Sequence, residues 1–201
     1  MGQLSSHRKH TGGALLGAVA SGLAAAAMTG AATADATCAS ISGVGNGGGC
    51  SSTPTSFAVG LGANTSANAN GLFTGAVAIG PTNGVQDTTV ANSTGNLSLA
   101  IAAGKNTAAT TFGNFELAAV QGTGSEAADP VSAQAGGTTS DNLNVAVNVG
   151  GNSFGPTAFK GGNTVFAAGQ GNLAVNLFGN PDTATSRPSA VEAVGVGNAA
   201  F

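Results

Sequence analysis

The chain contains no tryptophan and no tyrosine, and only 6% of its 201 residues are charged. The first absence removes the rings that sugar-binding platforms and protein hot spots favour. With five Lys and Arg in all, no basic patch and no aromatic interleaving, nucleic acid has neither an electrostatic nor a stacking basis for binding. Histidine is as scarce: His7 and His10 are the only two, both close to the start. A serine or cysteine nucleophile further along therefore has no imidazole to act as its base.

What the first residues do have is the three-part pattern of a secretory signal. Arg8 and Lys9 form a positive region, Gly13 to Met28 an apolar stretch rich in Ala and Leu, and Ala32-Thr33-Ala34 a small-residue cleavage site. Cleavage is expected between Ala34 and Asp35. It would remove both histidines and leave Lys105, Lys160 and Arg187 against eight acidic residues, a net charge of 3 − 8 = −5. An anionic membrane surface then offers no attraction, and no stable membrane insertion of the mature chain is expected. The expected address is secreted or cell-surface.

Two cysteines, Cys38 and Cys50, bracket ASISGVGNGGG just after the cleavage site. An even count in an exported chain favours a disulfide over a metal pair, and no histidine remains to complete a zinc site. We expect the Cys38–Cys50 bridge to close an N-terminal cap over residues 35–54, after a signal peptide at 1–34 and before a repeat domain at 55–201.

That repeat is visible in the glycines. AVGLG closes at Gly62 and AVAIG at Gly80, an interval of 18, and Gly104 with Gly122, Gly151 with Gly169 and Gly179 with Gly197 give the same spacing. Between pairs the interval lengthens, as where TGSEAADPVSAQAGGTTSDN intervenes, which reads as loops inserted into a regular coil. Within the phrases apolar residues alternate: Val59 and Leu61, Val77 and Ile79, Leu99 and Ile101, Val145 with Val147 and Val149, Leu173 with Val175 and Leu177. Period two argues for short strands. Recurrent Gly and Asn disfavour helix and suit the turns GANT, GKNT and GGNT. The expected fold is all-β, a single β-solenoid like a parallel β-helix, with rungs of about 18 residues that bury the alternating aliphatics collectively. The nine Phe are expected in the interior or at its corners.

Catalytic chemistry is thin. The nearest carboxylate pair, Glu126 and Asp129, sits in an inserted loop. A serine nucleophile with Lys105 or Lys160 has no motif behind it. AAGKNT at Ala102–Thr107 lacks the earlier glycine of a phosphate loop and carries Asn106 where Ser or Thr should follow the lysine. Asn stands where calcium-binding nonapeptide repeats need Asp. No catalytic residue, cofactor or metal is expected.

Taken as a whole, the signal peptide followed by Ala-, Gly- and Asn-rich, charge-poor phrases resembles the secreted low-complexity proteins of mycobacteria and related actinomycetes. FAVGLGAN and GAVAIGPTN are similar to the head repeats of trimeric autotransporter adhesins, a resemblance that implies a left-handed β-roll binding host matrix. The function expected is that of an exported, non-enzymatic structural or adhesive protein of the cell surface or cell wall, with wall or matrix components as partners and self-association possible. Two alternatives stand beside it. One is a secreted enzyme or ligand-binding protein with a groove lined by loops at Asp87, Glu126 to Asp129 and Asp141; the other is a fibre-forming secreted protein.

Overall fold

The computed structural model describes residues 38–81, 87–124, 130–152, 163–177 and 190–201. Among these residues every regular element is a strand. In chain order they are β1 (Cys38–Ile41), β2 (Val44–Gly45), β3 (Cys50–Ser52), β4 (Phe57–Leu61), β5 (Thr65–Leu72), β6 (Gly75–Ile79), β7 (Thr89–Asn96) and β8 (Leu99–Lys105). There follow β9 (Thr107–Asn114), β10 (Leu117–Thr123), β11 (Val131–Ala135), β12 (Val145–Asn152), β13 (Thr164–Gln170), β14 (Leu173–Leu177), β15 (Ala190–Val196) and β16 (Ala199–Ala200).

From β3 onward the strands alternate between two sheets. The first has the order β16-β14-β12-β10-β8-β6-β4-β1-β2 and the second β15-β13-β11-β9-β7-β5-β3. All pairings are parallel except those of β1, which runs antiparallel to β2 and to β4. A chain that returns to each sheet in the same direction, one strand further along, is compatible with a β-helix or solenoid.

The register gives the step size at each return. Phe57 lies beside Gly75 and Leu99 beside Leu117, 18 residues apart, as does Thr89 beside Thr107 in the second sheet. Gly75 beside Leu99 is a step of 24, and Leu117 beside Val145 and Val145 beside Leu173 are steps of 28. Of the glycine pairs at interval 18, Gly104 and Gly122 are direct neighbours. Gly151 and Gly169 are not: Gly151 pairs with Gly122 in the first sheet and Gly169 with Gly195 in the second. With 34 glycines in the chain, one pair shares the interval without sharing a sheet. Gly179 lies outside the described residues.

The core is made of alanine. Ala58, Ala76, Ala100, Ala118, Ala146 and Ala174 form one unbroken row across the first sheet, all fully buried. Facing them in the second sheet is the row Ala67, Ala91, Ala109, Ala133, Val165. This reverses the expected orientation. The alternation of large and small residues is real, but the small ones point inward, and Leu61 and Ile79 are each 43% exposed. None of the described Phe is buried; Phe73 and Phe115 stand at corners with their rings outward. The reason is steric. The two sheets approach so closely that a methyl group added even at Gly60 would come within 2.8 Å of Thr65 Oγ1 in the second sheet, and close-packed interiors do not open to admit larger groups.

Candidate interaction surfaces

With small residues committed inward, strand alternation sends the large aliphatics out. On the outer face of the first sheet they stand in register as straight rows. One row is Phe57, Gly75, Leu99, Leu117, Val145, Leu173; the next is Val59, Val77, Ile101, Ala119, Val147, Val175; the third is Leu61, Ile79, Ala103, Gln121, Val149, Leu177. No charged side chain stands in these rows, and Gln121 is their one polar member.

A fourth row continues this face around the corner where the chain leaves the second sheet for the first. Phe73, Leu97, Phe115 and Leu143 occupy equivalent positions in successive turns, each with φ between 54° and 60°. The same position in later turns is Gly171 and Gly197, with φ of 67° and 68°. Left-handed backbone costs a residue with a Cβ about 1–2 kcal/mol, and glycine almost nothing. Four times the chain carries a bulky apolar residue where glycine is the unstrained choice, and the side chains gain no burial from it: Phe73 is 67% exposed and Leu143 62%.

The residue after each of these turns inward and stitches neighbouring turns together. Ser56 Oγ accepts the backbone N–H of Thr74 (3.3 Å), Glu116 Oε2 that of Asn144 (3.1 Å), Asn144 Oδ1 that of Asn172 (3.1 Å), and Asn172 Oδ1 that of Asn198 (2.9 Å). The amide of Asn144 also donates to Glu116 Oε1 (3.0 Å). Glu116, Asn144 and Asn172 are all buried. Such side chains satisfy backbone donors that the corner would otherwise leave orphaned. Glu116 is the anomaly, a carboxyl where the following turns use an amide. Its pKa is raised to about 7, because the upward push of burial, with the charge of Asp141 beside it, outweighs the hydrogen bonds from Asn144 that pull it down.

The outer face of the second sheet has a different chemistry. Ser51, Asn68, Asn92, Thr110 and Gln134 share one row. Ser51 Oγ donates to Asn68 Oδ1 (2.7 Å) and Asn68 Nδ2 to Asn92 Oδ1 (3.0 Å). Asn96 Nδ2 donates likewise to Asn114 Oδ1 (2.7 Å), and Asn114 Nδ2 to Asn142 Oδ1 (3.0 Å). Beside the first of these rows lies an open groove of about 460 Å³, lined by Ser51, Ser52, Thr53, Asn68, Asn70, Asn92, Thr94, Thr110 and the ring of Phe112.

The residues singled out in the sequence fall as follows. Cys38 and Cys50 form a disulfide with their Cα atoms 5.4 Å apart, tying β1 of the first sheet to β3 of the second. Ala34 and Asp35 lie outside the described residues, as do Glu126, Asp129 and Lys160. Asp87 forms an ion pair with Lys105 (3.0 Å). Asp141 is occupied by its own loop and neighbour: Oδ2 accepts the N–H groups of Gly137, Thr138 and Gly169, and Oδ1 accepts the hydroxyl of Thr138. Its burial would raise its pKa, but these bonds outweigh that and hold the carboxyl below its ordinary range. Among the described residues no group of three His, Cys, Asp or Glu could hold a metal ion, and no helix is long and apolar enough to cross a membrane. Sequence reasoning passed over Glu116 and the left-handed corner row; the available signal was the shared position of Thr74, Ser98, Glu116 and Asn144, each directly before the first residue of a first-sheet strand.

Comparison with protein-family models, with curated proteins and with solved structures yields no match.

Proposed function

We propose that this chain is an exported, non-enzymatic β-solenoid, built on an 18-residue turn enlarged by inserted loops, that serves at the cell surface or in the cell wall as a structural or adhesive module. The carrying observation is the outer face of the second sheet, where stacked Asn, Ser and Thr border an open groove that Phe112 also lines. Amides and hydroxyls in fixed register, next to one ring, suit hydrogen bonding to the hydroxyls of a wall or matrix polysaccharide, a ligand that needs neither charge nor a deep pocket. The Cys38–Cys50 bridge supports an oxidising, extracytoplasmic compartment. The antiparallel β1 and β2, pinned by that bridge, would cap the stack at its N-terminal end and keep its edge from recruiting other strands.

The test is retention of the purified full chain on cell-wall and extracellular-matrix preparations, compared with a double variant Asn68→Ala, Asn92→Ala. Retention of the wild type and its severalfold loss in the variant is the expected result. No retention on any preparation would refute the adhesive role.

A further inference from the structure

The apolar outer face of the first sheet is a second surface, separate from the polar groove and facing away from it, and it needs an occupant of its own. We infer that it docks a second copy of this chain, face to face, with the corner row Phe73, Leu97, Phe115 and Leu143 inside the contact.

Three observations select that occupant. The three aliphatic rows and the corner row carry no charge, with Gln121 their one polar side chain, and the polar row that ends the same strands, Lys105, Thr123 and Asn152, has its single charge paired with Asp87. A lipid surface would call for interfacial Trp or Tyr and for cations at the rim. The chain has neither ring, and Lys105, the only Lys or Arg among the described residues, is already paired with Asp87. The area also fits. Six parallel strands about 4.8 Å apart, crossed by four rows about two residues apart, present roughly 500 Å² per copy, so a facing pair buries on the order of 1,000 Å². That meets the threshold of about 1,000 Å² for a specific interface. Straight rows in register can meet the same rows of a second copy under a twofold axis, which places the same residues on both sides of the contact.

The left-handed corner row supplies the independent argument. The corner requires left-handed backbone but not bulky apolar side chains, since glycine serves at the same position in later turns, yet four such side chains stand there, exposed in the single chain. In the paired form these side chains become buried, and the strain acquires a return.

The experiment is sedimentation velocity of the full chain at micromolar concentration, beside the variants Leu97→Gly with Phe115→Gly and, on the wall itself, Val77→Thr with Val147→Thr. Glycine suits the corner backbone, so the first variant keeps its fold, checked by circular dichroism; the second keeps the side-chain shape. A wild-type mass of two chains or more, with self-association weakened about tenfold or more in both variants, is the expected result. A monomeric wild type overturns the inference, whether or not it floats with phosphatidylcholine vesicles, flotation assigning the face to lipid. Assemblies that neither variant weakens, including fibres growing edge to edge, overturn it equally.

Discussion

Glu116 makes the stability of this protein depend on pH in a direction opposite to that of most carboxylates. Its pKa is about 7 in the fold against an ordinary value of 4.5. Because the folded pKa lies above the unfolded one, the native state holds the proton more tightly. The corresponding stability is fully present below pH 4.5 and is lost as the pH rises through 7, above which the curve is flat. A shift of that size corresponds to at most about 3 kcal/mol, and screening by water at the corner reduces it to ~1–2 kcal/mol. The decisive comparison is Glu116→Asn. Asparagine is what the next two turns carry at this position, and Asn144 already shows that a single amide oxygen can accept both the backbone and the side-chain N–H of its counterpart in the next turn, Asn172. Urea unfolding of the full chain at pH 4.5, 6 and 7.5 should show the wild type weakening across the series. The variant should stay level and exceed the wild type at pH 7.5. Superimposable wild-type curves, or a variant with the same slope, would refute the reasoning. Asp141 does not confuse the reading, since its lowered pKa gives stability that is present above its ordinary value of 3.8 and is lost only as the pH falls below it.

Further consequences concern the corners and the cap. Leu143→Gly relieves left-handed backbone at an exposed position and should raise the stability of the dilute, unassociated chain by about 0.5–1 kcal/mol in a thermal melt. Gly95→Ala should do the reverse, because a Cβ there would strike the carbonyl oxygen of Gly113 in the next turn on backbone of φ 128°; a loss of about 3 kcal/mol or more, or failure to fold, is expected. Reducing the Cys38–Cys50 bridge should lower the unfolding midpoint by an amount equivalent to ~3 kcal/mol, the entropy of closing so short a loop.

How far the fold is legible in the sequence depends on which physical question is asked. Period-two alternation in LAIAAG or LAVNL identifies strands, because it reports which side chains share a face. It does not report which face is inside. Leu99 and Ala100 are both apolar, and only the distance between the sheets decides that Ala100 is buried and Leu99 is not. The Cys38–Cys50 bridge follows from count and spacing, and the structure contains it. The interval of 18 is real at Gly104 and Gly122 and accidental at Gly151 and Gly169, because glycine marks corners in both sheets and its spacing alone does not say which. Glu116 is invisible for another reason. In GNFE it reads as a lone acid in a turn, and its significance comes from standing over Ser98 and under Asn144, a relation that exists only once the turns are stacked. The polar face was equally hidden, since Asn and Thr scattered along a chain become rows only through register.

The central claim is that this wall is built with its small residues inside and its large ones outside. Thermal unfolding of Ala118→Leu and Ile101→Ser, each at a concentration below that of self-association, tests it most directly. The account predicts that Ala118→Leu, which forces a larger side chain into a fully buried row, lowers the midpoint severely or prevents folding, while Ile101→Ser leaves the midpoint nearly unchanged. A tolerated Ala118→Leu together with a crippling Ile101→Ser would place the aliphatics in the core and contradict the account.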